Sequence, residues 1–197
     1  MSYECSLHGR ISNNLKPQLI DRLIGIFKTT EGPSRNEDVL LRLKSHIDEN
    51  DLTKRQWQLF QLGHPESHLG RSTTDKPATV RAVFHSKIHT GDSLKFMGLL
   101  GYKMGFEFAR KGIVFNYHDN LKIIITQIFK LEKPNDVSSL IPFDPKNYWI
   151  VEVSTVPILQ QDVEKNIGEL RKFAEMLKGI LNLHYIEHSI LQNKVHH

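Results

Sequence analysis

Alternation with a period of two opens the chain. Tyr3, Cys5, Leu7, Gly9 and Ile11 fall on one face, and Glu4, Ser6, His8 and Arg10 on the other. Such alternation predicts a half-buried β-strand. The period then changes: across 12–28, Leu15, Leu19, Leu23, Ile26 and Phe27 recur at helical spacing, with Ile20 and Ile24 widening the stripe. Pro17 falls in the first turn of that helix, where no N–H partner is needed. Strand patterns return at 39–47, 55–63 and 78–88, the last setting Val80, Ala82, Phe84 and Ile88 against Arg81, His85 and Lys87. A short helix follows over 91–101, with Asp92 or Ser93 as its cap.

The stretch from Tyr102 to Glu132 predicts two or three strands laid end to end. Met104, Phe106 and Phe108 point one way, Gly112 turns the chain into 113–117, and 118–120 form a second turn. The segment 121–131 is apolar on both parities: Leu121, Ile123, Ile125 and Phe129 on one, Ile124 and Ile128 on the other. Both of its faces are therefore expected to lose water. A last strand, 148–158, closes at Pro157. Val163, Ile167, Leu170, Ala174, Leu177 and Leu181 then step by four and three, predicting a helix over 161–183 of roughly 30 Å.

Loops are expected at 29–38, 64–77 and 132–147, with the last two as excursions from a single domain spanning 1–197. Tyr102 to Leu131 holds no helix that could act as a parallel crossover, so consecutive strands should pair antiparallel. The fold class is mainly β (α+β): an antiparallel β-barrel with an N-terminal helix, a short middle helix and a long C-terminal helix. Closing or nearly closing the sheet removes free edges.

Composition narrows the setting. With 39% hydrophobic and 24% charged residues in 197, the chain is an ordinary globular one. No apolar run is long enough to span a bilayer, and the N-terminus lacks a basic start followed by an apolar block. One cysteine, Cys5, permits no internal disulfide and fits the cytosol or nucleus. The net charge of +4 and pI near 9.1 invite a nucleic-acid reading. Cations come at most two in a row, as at Lys54–Arg55, Arg110–Lys111 and Arg171–Lys172, with acids close by, so nucleic acid is not an expected partner.

Candidate chemistry is sparse. His64 and His68, like His184 and His188, have helical metal-ligand spacing but no matching cysteine or glutamate. Cys5 lies on a strand's apolar face, where a thiol behaves as a small hydrophobe. The enzyme alternative is a metal-dependent tunnel-type triphosphate hydrolase, in which Glu4, Glu107 and Glu152 from three strands would share a divalent cation. Each of those strands carries only one carboxylate, and 121–131 carries none. No catalytic residue, cofactor or metal site is therefore assigned. Usefulness is expected outside, with Ile124, Ile128, Trp149, Val151 and Val153 as candidate anchors for partner proteins.

Three segments carry a family resemblance: "QLFQLGHPE" (58–66), "LLGYKMGFEFARKGIVF" (99–115) and "LRKFAEMLKGILNLHYIE" (170–187), with "YECSLHGRI" and "LIDRLIGIF" before them. Together they resemble the family of subunit 18 of the Mediator complex, a transcriptional coactivator. That resemblance implies a β-barrel akin to the triphosphate-tunnel enzymes without their catalysis. It also implies a nuclear place in the Mediator head, pairing with subunit 20, capture of a C-terminal helix of subunit 8, and regulation of RNA polymerase II.

Overall fold

Alternating segments find each other across long sequence distances and pair into one sheet. The computed structural model describes residues 2–27, 36–40, 43–48, 51–66, 78–88, 91–103, 106–118, 120–133 and 136–186. Among them, nine strands run in chain order: β1 Ser2–Ile11, β2 Asn36–Leu40, β3 Leu43–Asp48, β4 Asp51–Pro65, β5 Thr79–Ile88, β6 Ala109–Tyr117, β7 Leu121–Leu131, β8 Leu140–Pro142 and β9 Trp149–Thr155. Three helices accompany them: α1 Lys16–Phe27, α2 Ser93–Leu99 and α3 Val163–Met176. The spatial order is β2-β6-β7-β9-β1-β5-β4-β3, with β8 joined to β7. Every pairing is antiparallel, and the sheet curls into a half-barrel of the expected class.

β1 is the central strand. On one side Ser6 to Ile11 pair with β9, and on the other Ser2 to Ser6 pair with β5. Where each neighbour stops, another part of the chain takes over its hydrogen bonds. Tyr3 exchanges both backbone bonds with Ile158 (2.8 and 2.9 Å), and His8 does the same with His184 (2.9 Å each). Gly9 permits the second of these crossings, because a Cβ there would stand 2.8 Å from both the Asn182 carbonyl oxygen and Leu181 Cδ1.

The outward parity of the sheet forms the core. Tyr3, Cys5, Leu7 and Ile11 join Ile123, Ile125, Val151 and Val153 beneath Leu19 and Leu23 of α1 and Val163, Ile167, Leu170 and Phe173 of α3. Each large side chain so buried contributes roughly 1.5–3 kcal/mol. The prediction for 121–131 matches β7 end to end, and Asp92 caps α2 by accepting a bond from the Lys95 N–H at 3.0 Å.

Several expectations are corrected. Gly112 is no turn: β6 runs straight through it, paired with Thr126. The expected strand before it does not form, since 106–108 are irregular and Phe106 is exposed; Met104 lies outside the described residues. The expected single strand at 39–47 is two, β2 and β3, and β2 begins inside the expected loop at 29–38. In 132–147, β8 and a 3-10 turn at Val137–Ser139 interrupt the loop. In 64–77, β4 reaches Pro65, and 67–77 lie outside the described residues.

α3 is shorter than its apolar spacing suggests. The Leu177 N–H turns back to the Ala174 carbonyl, and Gly179 takes a positive φ of 89°. Leu177 and Leu181 still reach the core, so a turn delivers what a longer helix would have.

Gly112 marks where two backbones meet. A Cβ there would lie 1.9 Å from the Ile125 carbonyl oxygen and 2.7 Å from Thr126 Cα, so no side-chain adjustment relieves it. Gly112→Ala should therefore lower stability by about 3 kcal/mol, at the upper end for overpacking, read from thermal or urea unfolding. Gly25→Ala in α1 meets nothing within 4 Å and should leave the fold as stable or slightly more so.

Candidate functional site

The opposite parity of the strands turns inward. Ser6, Thr79, Thr126 and Ser154 are buried there, as are Val83, Val114 and Ile124, although none of these three belongs to the core under α1 and α3. Curling of the sheet itself encloses them. Several polar side chains on this face pair with one another. Arg110 of β6 donates from Nε and Nη2 to Thr126 Oγ1 of β7, at 3.1 and 2.9 Å. The same Nη2 reaches Glu152 Oε2 of β9 at 3.2 Å. On β1, Glu4 stands opposite Arg81 of β5, and His8 stands opposite Glu152.

The charges on this face oppose one another. Burial presses the Arg81 guanidinium towards its neutral form, while Glu4 and Glu152 both hold it charged. Burial also pushes the His8 imidazole below its ordinary value; Glu152 opposes this, and Arg110, Arg81 and His184 add to it. His8 Nδ1 and Arg81 Nε and Nη2 are buried without a hydrogen-bond partner among the described residues. Two acids facing two arginines are poorly placed to collect a divalent cation, whose site needs carboxylate charge left uncompensated.

Glu4 and Glu152 therefore share a face, as the hydrolase alternative requires, but Glu107 does not join them. It lies in the irregular chain before β6, outside the strand lattice. Among the described residues no three of His, Cys, Asp and Glu converge in a metal-holding group. His184 is spent on the bridge to β1 through its backbone, whereas His68 and His188 lie outside the described residues. Cys5 faces the core, where burial, with lesser contributions from Glu4 and Glu164, pushes its thiol up to about 12. It is no nucleophile.

Two grooves lie open, one between helices on the outside and one at the margin of the inner face. A groove of about 720 Å³ runs between α1 and the end of α3, with Ile26, Tyr117, Met176 and Ile180 as apolar lining and Gln18, Asp21 and Arg22 at its polar edge. Arg22 Nη1 donates to the Met176 carbonyl at 3.2 Å, tying the two helical walls together. A second groove of about 460 Å³ is lined by Arg10, Ile128, Pro142, Phe143, Tyr148 and Ile150, among others. There Arg10 lies 5.3 Å from the Tyr148 ring centroid and Lys130 5.0 Å from that of Phe143.

The five expected anchors separate accordingly. Ile128 lines the second groove. Trp149 is half-buried beside it in sequence, its Nε1 donating to Asn13 Oδ1 at 3.0 Å with Lys16 Nζ 3.4 Å over the ring. Ile124 is buried on the inner face, and Val151 and Val153 are fully buried in the core, so these three underlie the surface. Phe143 and Tyr148 line the second groove as well; they fall in the Pro-aromatic run "IPFDPKNY" (141–148), which has no period to read.

These features define an antiparallel half-barrel with its inner-face carboxylates opposed by arginines, one groove between its helices and a second at the margin of its inner face. The Med18 protein family matches residues 30–194, and this chain belongs to that family. Among curated relatives, Mediator of RNA polymerase II transcription subunit 18 of Yarrowia lipolytica is 28% identical over 154 residues, covering 77% of this chain and 63% of the relative. Its Drosophila melanogaster counterpart is 29% identical over 160 residues (81% and 67%), and that of Danio rerio 25% over 195 residues (93% and 88%). The chain thus matches about two thirds of the length of the first two. A chain of the Schizosaccharomyces pombe Mediator head module shares the fold with a TM-score of 0.74 at 20% identity, covering 93% of this chain and 98% of that one. The PH1819 protein of Pyrococcus horikoshii OT3 shares it at 0.54 and 13% identity, covering 97% and 99%.

Two outcomes test the inner face. Arg110→Ala leaves Glu152 facing a drier interior without its partner and should cost about 1–3 kcal/mol, reduced by the fifth or so of each side chain that meets solvent. Thermal unfolding of the two single variants and the double variant Arg110→Ala/Glu152→Ala should show coupling; strict additivity would contradict the pairing. His8 titrates in the other direction from a salt-bridged histidine. The unfolded chain takes up its proton near pH 6.5 while the folded chain resists, so stability is full above about pH 6.5 and declines as pH falls towards the folded value. His8→Gln should flatten that decline between urea midpoints taken at about pH 7.5 and pH 5.5.

Proposed function

We propose that this chain is a non-catalytic structural and regulatory subunit of the Mediator head module, supporting RNA polymerase II transcription in the nucleus. In this reading it pairs with subunit 20 and holds a C-terminal helix of subunit 8. The observation that carries it is the contrast between inner-face carboxylates opposed by arginines and two open grooves, one between α1 and the end of α3 and one at the margin of the inner face. The named relatives support it, each being a subunit 18 of Mediator.

The larger groove suits the subunit 8 helix. Two helical walls, an apolar floor and a polar rim are what an amphipathic helix requires of its receptor, and Gly25 keeps the channel clear. Ile128, with Phe143 and Tyr148 of the second groove, forms the candidate face for subunit 20, and Trp149 lies on the opposite parity of the sheet beside α1. A few such anchors suffice, because truncating a central one at an interface commonly costs more than about 2 kcal/mol.

Co-expression with subunit 20 and the C-terminal segment of subunit 8 tests this reading. The chain should co-purify with both. Gly25→Phe should keep the fold, since its Cβ meets only open space, and keep subunit 20, but lose the subunit 8 segment. Recovery of the parent chain without either partner would overturn the proposal.

A further inference from the structure

α2 shows apolar side chains on the side that should be polar. Ser93 is buried and Leu94 and Met97 are half-buried, so these residues seat the helix on the protein. Phe96, Leu99 and Leu100, at i, i+3 and i+4, form the opposite ridge and are 52%, 80% and 57% exposed. The ridge is fixed in place. The Leu100 N–H donates to the Phe96 carbonyl at 3.2 Å, Gly101 closes the turn at a φ of 88°, and the Tyr102 N–H returns to the Met97 carbonyl at 3.1 Å. That last bond adds Tyr102, 65% exposed, to the same end. A held helix with a continuous apolar ridge in water marks an interaction surface, whereas scattered exposed leucines would not.

Charge says what fits. Lys95 and Lys103, both exposed, are the charges carried from 93 to 106, and the half-buried Glu107 follows four residues after Lys103. The nearest acid on the N-terminal side, Asp92, is engaged in capping the helix. We propose that the Phe96–Leu99–Leu100–Tyr102 ridge is a docking site for an amphipathic protein helix whose apolar stripe is flanked by carboxylates. A second copy of this chain would bring lysines against lysines, which disfavours self-pairing. The surface is distinct from both grooves and goes beyond the head-module reading, which stands or falls on the co-purification above.

The test is fluorescence anisotropy on the full chain, with subunits 8 and 20 absent. The probe is a labelled synthetic helical peptide with leucines at i, i+3, i+4 and i+7 and glutamates on both flanks. A control peptide carries the same leucines flanked by lysines. The glutamate peptide should bind saturably and roughly tenfold or more tighter than the control, a preference that fades at high salt. Leu99→Ser/Leu100→Ser should weaken binding by a similar factor without changing thermal unfolding, because both side chains are largely in solvent. Lys95→Glu/Lys103→Glu should reverse the order of the two peptides. Equal binding of both peptides, or binding indifferent to the serine variant, would overturn the proposal. So would self-association or binding to vesicles of anionic lipid that the serine variant abolishes while the peptide does not bind.

Discussion

From β6, the Arg110 guanidinium reaches across β7 to Glu152 on β9, with Thr126 completing the contact. That reach decides the character of the inner face. A curled sheet that turns glutamates inward must either offer them to a cation or supply a permanent counter-charge from its own strands. Here Arg110 and Arg81 supply it, and guanidinium groups are well suited because they stay protonated even when partly desolvated. Glu4 and Glu152 then act as structural anions.

The outer parity of the sheet carries the apolar core. β1 and β7 lose water on both sides, one side to the half-barrel and the other to α1 and α3. Such strands leave little slack, which is why backbone approaches at Gly9 and Gly112 admit no side chain. Rigidity of this kind favours any interface built on the sheet, which loses little conformational entropy on binding. The helices covering the sheet also define the larger groove, so one packing arrangement completes the core and shapes that groove. The lock between Arg22 and the Met176 carbonyl belongs to both.

The strands were legible where burial was two-sided. In 121–131 the apolar residues on both parities could belong only to a central strand, and β7 has those limits. Legibility failed where one signal has two causes. A glycine marks a turn or a close backbone approach, and Gly112 was the second. Leucines at helical spacing mark a helix or a turn that returns to the core, and Leu177 and Leu181 were the second. Parity shows which residues of β9 share a face but not which face the helices cover, and Val151 and Val153 are on the covered one. Glu107 was grouped with Glu4 and Glu152 because strand ends are hard to place from sequence, and it falls short of β6. Phe143 and Tyr148 sit in irregular chain, where no period exists to be read.

The most direct test of a charge-compensated interior is a titration of the purified chain with Mn²⁺, followed by water-proton relaxation, together with phosphate release from inorganic triphosphate. Weak Mn²⁺ binding that Glu4→Gln and Glu152→Gln leave unchanged, without phosphate release, is the predicted result. Tight binding abolished by either substitution, accompanied by triphosphate turnover, would contradict it.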